Sequence, residues 1–449
     1  AMHGELRQGA GEALVGRICT DSRAAQAGDL FFALKGDKFD AHDFLDEVAG
    51  KGVAACVVAR GKKFPVGTVI EVDNPRAALG RLAAAYRGQF SLPVIAVGGS
   101  NGKTTTKELL AAVLRQKFST LASEASFNND IGVPLTLLQL TASHQAAVVE
   151  VGTNHPGELA PLVTMTQPKF GVITSVGREH LEFFGDVAGV AQEEGALAEL
   201  LPVTGKLFIN GDSEWAVSIA KRATAKVARV GLGEGNCWRA TAVRFEKRGM
   251  SFAVTAPKPE FSGEYVINLL GRHQVVNALF AIAVGAELSL MREEILRGLA
   301  SCQPPKMRLQ IWEAGGVTVL DDCYNANADS MRAALEVLSE LPCKGRRLAV
   351  LGDMAELGAH RDAAHAEVGA LAAKLGVGQL LAVGKNAGLV AQAARAAGLN
   401  RVMEFADAAA AADGLQKLVK AGDVVLLKAS RAVRLERAAE FLKANVSGK

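Results

Sequence analysis

The chain has no pair of cysteines spaced as CxxC; its six cysteines stand alone at 19, 56, 237, 302, 323 and 343. That spacing excludes a zinc module and a disulfide framework, and isolated cysteines of this kind read as small core residues. No run of about twenty apolar residues free of charge occurs, so no segment reads as a membrane span. The N-terminal segment lacks the basic stretch, apolar run and cleavage site of a secretory signal, so the expectation is a soluble, cytoplasmic enzyme. Charge of one sign is not in excess either: 50 basic and 47 acidic side chains leave a formal charge of +3. With no basic stripe interleaved with aromatics, nucleic acid is not an expected partner. Aromatic residues are scarce, at 5%. No GxGxxG fingerprint opens the last third of the chain, which disfavours NAD.

What is present is length, glycine and alternation. The 449 residues exceed what one core serves, and 47 glycines suit an α/β protein with many tight turns. The organising stretch is Ser91–Gln116, SLPVIAVGGSNGKTTTKELLAAVLRQ. An apolar strand (Leu92–Val97) leads into Gly98-Gly99, then Gly102-Lys103-Thr104-Thr105-Thr106, then an alanine- and leucine-rich helix. Strand, glycine loop, lysine, hydroxyl and helix together form a cradle for a polyphosphate. Glycines let backbone N–H groups approach the anion, the helix start adds free donors, and Lys103 reaches the outer phosphates. Val97 stands where the full GxxxxGK[ST] pattern has its first glycine, so the loop is the shorter GxxGKT form, Gly99 to Thr104.

Three units are expected. Residues 1–90 form a small α/β unit with strands at Arg17–Thr20, Asp29–Ala33, Ala54–Val58 and Thr68–Val72, and helices near Phe44–Lys51 and Arg76–Gly88. Asp21-Ser22-Arg23 follows its first strand, either as turn chemistry or as a ligand contact. Residues 91–304 form a mostly parallel sheet, with strands at Ala146–Val151, Phe170–Val176 and Lys206–Asn210, and a helix at Val187–Leu200. Glu150 ends one strand, where a carboxylate for a nucleotide-bound Mg²⁺ would sit. His180, just past the next strand, reads either as a packing residue or, with the Glu193-Glu194 pair, as part of a second metal site. Trp238–Val254 alternates around Lys247-Arg248-Gly249 and predicts an antiparallel hairpin, with a further strand at Tyr265–Leu270. Gly271–Asn277 opens a long apolar helix, in which the Asn277 amide needs partners, an adenine edge or backbone carbonyls. Leu288-Ser289 predicts the cap of the following helix.

Gln303-Pro304-Pro305 marks the last boundary. Residues 305–449 alternate strands (Val317–Leu320, Arg347–Leu351, Gln379–Val383, Asp423–Leu427) with helices, a doubly wound, Rossmann-like fold. Polar clusters follow three of these strands, at Asp321–Asn327, Gly352–Gly358 and Lys428–Arg431, which places them in one cleft.

At Gly99–Lys107 the chain resembles the Mur ligases, ATP-dependent enzymes that build the peptide stem of peptidoglycan. The segments SFNNDIGVPLTLL (126–138), EVGTNHPGEL (150–159), DDCYNANADS (321–330), GDMAELG (352–358) and LLKAS (426–430) resemble the branch that adds D-alanyl-D-alanine. The resemblance implies that the first unit holds the UDP end of UDP-N-acetylmuramoyl-tripeptide, with Ser22 and Arg23 near the nucleotide. It implies ATP at Gly99, Ser100, Asn101, Gly102, Lys103, Thr104 and Thr105. Thr104 and Glu150 would serve one Mg²⁺ and His180 a second. Asn268, His273 and Asn277 would lie on the adenine side, Arg308 would reach phosphate, and Asp322 the ribose. Asn128, Asn129 and Asn154 would contact substrate, and Tyr324, Asn325 and Lys428 would lie near the acceptor cleft. The resemblance also implies small-molecule substrates and closure of the third unit onto the centre; a monomer is the expectation, with the oligomeric state open.

One departure stands out. The family carries a lysine, modified to a carbamate, in the helix after His180; this chain has Ala191-Gln192-Glu193-Glu194-Gly195, and Glu194 is expected to take its place beside the second Mg²⁺. Asp73-Asn74-Pro75-Arg76 matches an amino-acid-binding string of the diaminopimelate-adding branch, but it lies in the first unit and reads as a helix start. Two alternatives stay open: a sister ligase adding diaminopimelate or lysine, and a nucleotide-binding regulator without catalysis, for which Glu194 is the only support.

Overall fold

Each apolar run expected as a strand is one, and the strands assort into three sheets. The computed structural model describes residues 1–9, 11–36, 38–62, 67–246 and 248–446.

The first sheet runs Glu5–Gln8, Thr68–Val72, Ala55–Ala59, Asp29–Phe32, Arg17–Cys19 in spatial order. All pairings are parallel except that of the Glu5–Gln8 edge strand. Asn74 caps the helix Pro75–Arg87 by accepting the N–H groups of Arg76 and Ala77, so Asp73–Arg76 is a helix start here.

The central sheet has nine strands. Its parallel core places Val94–Gly98 between Ala146–Glu150 and Phe170–Ile173, with Val97 opposite Glu150 and Gly98 opposite Ile173. All three are buried throughout, as parallel strands covered on both faces require. The expected hairpin is present as Trp238–Glu246 and Gly249–Thr255, antiparallel, joined by Gly263–Ile267; Lys247 of its turn lies outside the described residues. The helix Arg272–Glu287 is buried from Gln274 to Ala286 and packs on Lys103–Leu114. A helix apolar all round belongs in a core. At about 1.5–3 kcal/mol for each fully buried large aliphatic or aromatic side chain, this pairing seats the helix that carries the phosphate loop.

Two local expectations are corrected. The helix expected at Val187–Leu200 is two pieces, Val187–Glu194 and Ala196–Glu199. The Arg222 guanidinium takes the carbonyls of Ala191 and Gln192 and pairs with Glu199, turning the chain at Gly195. Leu288-Ser289 does not cap the next helix, which runs Arg292–Ser301 with the Met291 N–H held by Glu294. Ser289 sits in a left-handed turn (φ 60°) and gives its carbonyl to Lys117.

The third sheet orders Gln310–Ala314, Val317–Asp322, Val424–Lys428, Arg347–Gly352, Gln379–Val383 and Val402–Phe405, parallel except at its first pairing. Asp322 lies directly opposite Lys428 in the register. The three expected polar clusters are bonded together: Ser430 N–H donates to the Asp353 carbonyl, Ser430 Oγ accepts from the Ala355 N–H, and Ser430 Oγ donates to the Ala326 carbonyl.

Candidate phosphate-transfer site

The phosphate loop leaves the end of Val94–Gly98, where its neighbours on the two sides bring Glu150 and Thr174-Ser175. That is the crevice in which open parallel sheets bind ligands. Gly102 (φ 90°) opens the helix Lys103–Leu114 in a left-handed conformation. A Cβ there would stand 2.6 Å from Asn277 Oδ1. Asn277 therefore lies against the loop, and its amide donates to Gln274 Oε1 at 2.8 Å.

Three loop N–H groups are already occupied. Gly99 donates to Glu194 Oε2 (2.7 Å), Ser100 to the Ser175 carbonyl (2.9 Å) and Asn101 to Ser175 Oγ (2.8 Å). The N–H groups offered to an anion are then those of Gly102 to Thr105, which a helix start leaves without intrahelical partners. Gly99, Ser100 and Asn101 shape the loop. Lys103 Nζ folds back onto the Gly99 carbonyl at 2.5 Å and lies 3.6 Å from Glu179 Oε2. Burial alone would push this ammonium down, but Glu179, Glu194 and Glu150 outweigh that and hold it above its ordinary value, against Arg308.

Those three carboxyls are the notable feature. All are buried, and one oxygen of each (Glu150 Oε2, Glu179 Oε1, Glu194 Oε1) has no hydrogen-bond partner within the protein. Unsatisfied buried acceptors are costly and call for a cation or water. Burial pushes the Glu194 carboxyl up to about 8, with Lys103 opposing. Among the described residues no three His, Cys, Asp or Glu side chains form a ready cage.

Glu150 Oε1 accepts from Asn128 Nδ2 at 2.9 Å, so Asn128 orients the carboxylate. Asn129 Oδ1 takes the N–H groups of Ile131 and Gly132 at the start of the Gly132–Leu137 helix. Glu193 takes those of Gly157 and Leu159, fixing the loop that contains Asn154. Of the two adjacent acids, then, only Glu194 faces the phosphate loop.

The third unit closes the site. Arg308 Nη2 donates to Thr104 Oγ1 at 3.1 Å, with its guanidinium 4.2 Å from the Tyr324 ring centre. Asn327 Nδ2 donates to Asn101 Oδ1 at 3.0 Å. Arg178, in the centre, binds both Asp329 and Glu367 of the third unit. Lys428, 2% exposed, donates to Asp322 Oδ2 (2.5 Å) and the Asn325 carbonyl (3.0 Å). It thus sits as a buried partner of Asp322, not as a free contact in an open cleft. His273 is half-buried near this pair; burial pushes its imidazole down to about 4, with Asp322 opposing and Lys428 adding.

Other expected residues are not gathered here. Ser22 and Arg23 lie in the short 3₁₀ helix Ser22–Ala24 of the first unit, where Arg23 pairs with Asp21. Asn268 Nδ2 is bonded to the Ala300 carbonyl. Glu179 and Glu356, the partner of His180 Nδ1, were not singled out from sequence. Glu179 adjoins His180 in the chain, a hint that was available; Glu356 stands 176 residues away.

Family models match most of the chain: "Mur ligase family, catalytic domain" at 15–87, "Mur ligase middle domain" at 97–285 and "Mur ligase, glutamate ligase domain" at 307–431. A UDP-N-acetylmuramoyl-tripeptide--D-alanyl-D-alanine ligase of Escherichia coli K12 is 38% identical, covering 99% of this chain and 97% of its own length. The Bacillus subtilis protein of the same name is 32% identical over 93% and 91%. Among solved structures, MurF from Acinetobacter baumannii superposes with a TM-score of 0.88 at 33% identity, covering 96% and 94%. MurF from Thermotoga maritima in complex with ADP gives 0.85 at 27%, covering 97% and 99%. The chain belongs to the Mur ligase family.

Proposed function

We propose that the chain is an ATP-dependent amide ligase joining D-alanyl-D-alanine to the tripeptide carboxylate of UDP-N-acetylmuramoyl-tripeptide, in peptidoglycan precursor synthesis. The observation that carries this is near-full-length likeness to ligases of that name, in a chain that keeps the phosphate loop and the arginine reaching it from the third unit. Residues 1–90 are assigned to the UDP end, through Ser22 and Arg23, 91–304 to ATP, and 305–449 to the dipeptide and part of ATP. No described helix is long and apolar enough to cross a membrane. A cytoplasmic monomer acting on these small molecules is the working picture.

A carboxylate is a poor electrophile because its leaving oxygen is too basic. Transfer of the γ-phosphoryl group to a carboxylate oxygen breaks the bond to ADP and gives an acyl phosphate. The dipeptide amine then attacks the acyl carbon, its proton passes to a base, and the tetrahedral intermediate expels phosphate. Lys103 and the N–H groups of Gly102–Thr105 hold the outer phosphates, and Arg308 adds positive charge from the third unit. Thr104, Glu150, His180 and Glu194 would hold Mg²⁺, which supplies charge neutralisation on the phosphates when bound. Asn268, His273 and Asn277 are assigned to the adenine side, Asp322 to the ribose, Asn128, Asn129 and Asn154 to the tripeptide, and Tyr324, Asn325 and Lys428 to the acceptor side. Docking of the third unit keeps water from the acyl phosphate.

Phosphate release from ATP, measured with both diaminopimelate- and lysine-containing tripeptides plus D-alanyl-D-alanine, tests this. Release is expected with this pair and lost in Lys103→Ala. Release only with UDP-N-acetylmuramoyl-dipeptide and a free diaminopimelate or lysine would overturn the assignment.

A further inference from the structure

His180 is held from across the domain boundary. Its Nδ1 meets Glu356 Oε2, while its Nε2 lies 3.9 Å from Glu179 Oε2, on the side of Lys103. Glu356 belongs to the third unit, in the loop after the strand Arg347–Gly352. That loop is fixed at several points. The Glu182 N–H donates to the Glu356 carbonyl at 3.0 Å, His360 Nε2 meets the Gly185 carbonyl at 2.9 Å, and Met354 and Leu357 are anchored in the third unit's core. Both His180 (φ 49°) and Glu356 (φ 57°) are left-handed. Non-glycine residues keep that conformation where their surroundings over-determine it, and such outliers cluster at functional sites.

A neutral imidazole has one N–H and one lone pair, and an ionised carboxylate only accepts. Glu356 Oε2 is the atom that meets His180 Nδ1. Bonded this way, the ring carries its proton on Nδ1 and leaves the Nε2 lone pair on the side of the Glu179 carboxylate. In water the other tautomer predominates, with the proton on Nε2, where it would block a cation. A carboxylate that fixes the tautomer of a metal-binding histidine acts on affinity without touching the metal.

We propose that Glu356 is a positioning residue that makes the cation-binding form of His180 conditional on docking of the third unit. The inference rests on the reading of His180 as a metal ligand. It gives domain docking a role beyond excluding water: undocked, the centre lacks the group that orients this ligand, so full cation binding awaits the assembled site.

The test is Mn²⁺ affinity by electron paramagnetic resonance with a non-hydrolysable ATP analogue, on full-length wild type, Glu356→Ala, Glu356→Gln and His180→Ala. Glu356→Ala is expected to weaken Mn²⁺ by roughly 10–100-fold, the usual range for losing such a partner. Glu356→Gln retains an oxygen that accepts from Nδ1–H and is expected to restore most of the loss. In the ligand-free protein, ¹⁵N-histidine spectra should show His180 protonated on Nδ1 in wild type and Glu356→Gln, and on Nε2 in Glu356→Ala. Should Glu356→Ala not fold, Glu356→Leu fills much of the same space without an acceptor. If His180→Ala weakens Mn²⁺ but Glu356→Ala does not, the positioning role is refuted and the ligand reading stands. If Glu356→Gln is as impaired as Glu356→Ala, the contact is an ion pair between units, which also overturns the proposal. If His180→Ala binds Mn²⁺ as wild type does, the ligand reading fails and takes the inference with it.

Discussion

Arg178→Ala should loosen the docking of the third unit while leaving the phosphate loop intact. The guanidinium donates to Asp329 Oδ1 from Nε (2.9 Å) and Nη2 (2.7 Å), and to Glu367 from Nη1 (2.6 Å) and Nη2 (3.2 Å). Its side chain is 30% exposed and its partners 37% and 32%, between the surface and buried regimes. Exposed pairs contribute about 0.2–1 kcal/mol and removing one partner of a buried pair costs about 3–5 kcal/mol. Neither carboxylate is stranded by the change. Asp329 keeps the Arg178 backbone N–H at 2.8 Å, and Glu367 keeps Arg332 at 2.5 Å. The loss therefore belongs near about 2 kcal/mol, a shift of roughly 30-fold in the docking equilibrium. Glu367 and Asp329 raise the guanidinium's pKa further, and Arg178 holds the Glu367 carboxyl below its ordinary 4.5. A depressed carboxyl contributes above its unfolded value, so this docking term is constant at neutral pH and fades as pH falls below 4.5. The assay is kcat/KM for D-alanyl-D-alanine, expected to fall about 30-fold, with a double-mutant cycle against Asp329→Ala. The cycle is needed because Asp329 also lies in the first turn of its helix, where an acid is favourable on its own. Additive effects in that cycle, or a kcat/KM within twofold of wild type, would refute the latch.

Gly102→Ala forces an L-residue to φ 90° with its Cβ 2.6 Å from Asn277 Oδ1. The backbone alone should cost about 1–2 kcal/mol, visible as a lower unfolding midpoint and weaker nucleotide binding by calorimetry. His273, pushed down to about 4 from 6.5, favours the fold in its neutral form. Its contribution is present above 6.5 and lost as pH falls toward 4, so the unfolding midpoint should drop across that window in wild type, with a shallower slope in His273→Gln.

Local pattern carried the fold a long way. The strand, loop and helix around Lys103, the hairpin either side of Lys247-Arg248 and the apolar helix at Arg272–Glu287 each declare themselves within a single window. The missed strands lacked such a signal. Thr120–Ala122 has three residues, Lys226–Gly231 is half exposed, Glu5–Gln8 is wholly exposed on a sheet edge, and Gln310–Ala314 and Val402–Phe405 are the two edges of the third sheet. Their pairing depends on a neighbour that no local window contains. The helix break at Gly195 is likewise imposed from outside, by Arg222. Residue type and strand-end position singled out Lys103 and Glu150, and the family resemblance Arg308, but neither showed that Asn128 would hold Glu150 or that Lys428 would be buried on Asp322. Side-chain partners of that kind are a property of the packed sheets.

Glu194 shows how far that distinction reaches. Sequence marks it as an acid where the family pattern has a lysine, which by itself allows either a lost site or a substituted one. Geometry separates these. The neighbouring Glu193 is consumed in fixing Gly157 and Leu159, whereas Glu194 extends to the Gly99 N–H, with Oε2 only 3.0 Å from where a Cβ on Gly98 would stand. The two lysines of the phosphate-loop helix do not take over the position. Lys107 is fully buried on the carbonyls of Ser123 and Ala125, and Lys103 belongs to the phosphate loop itself. The carboxyl already reaches the loop, and its second oxygen is buried without a partner. A site that had lost its function would have no reason to retain such an acceptor beside two others, because each costs free energy until something positive meets it. We propose that a cation bound there would draw off the proton that burial favours on Glu194, so that the glutamate would supply negative charge by a shorter route and need not mark an inactive relative.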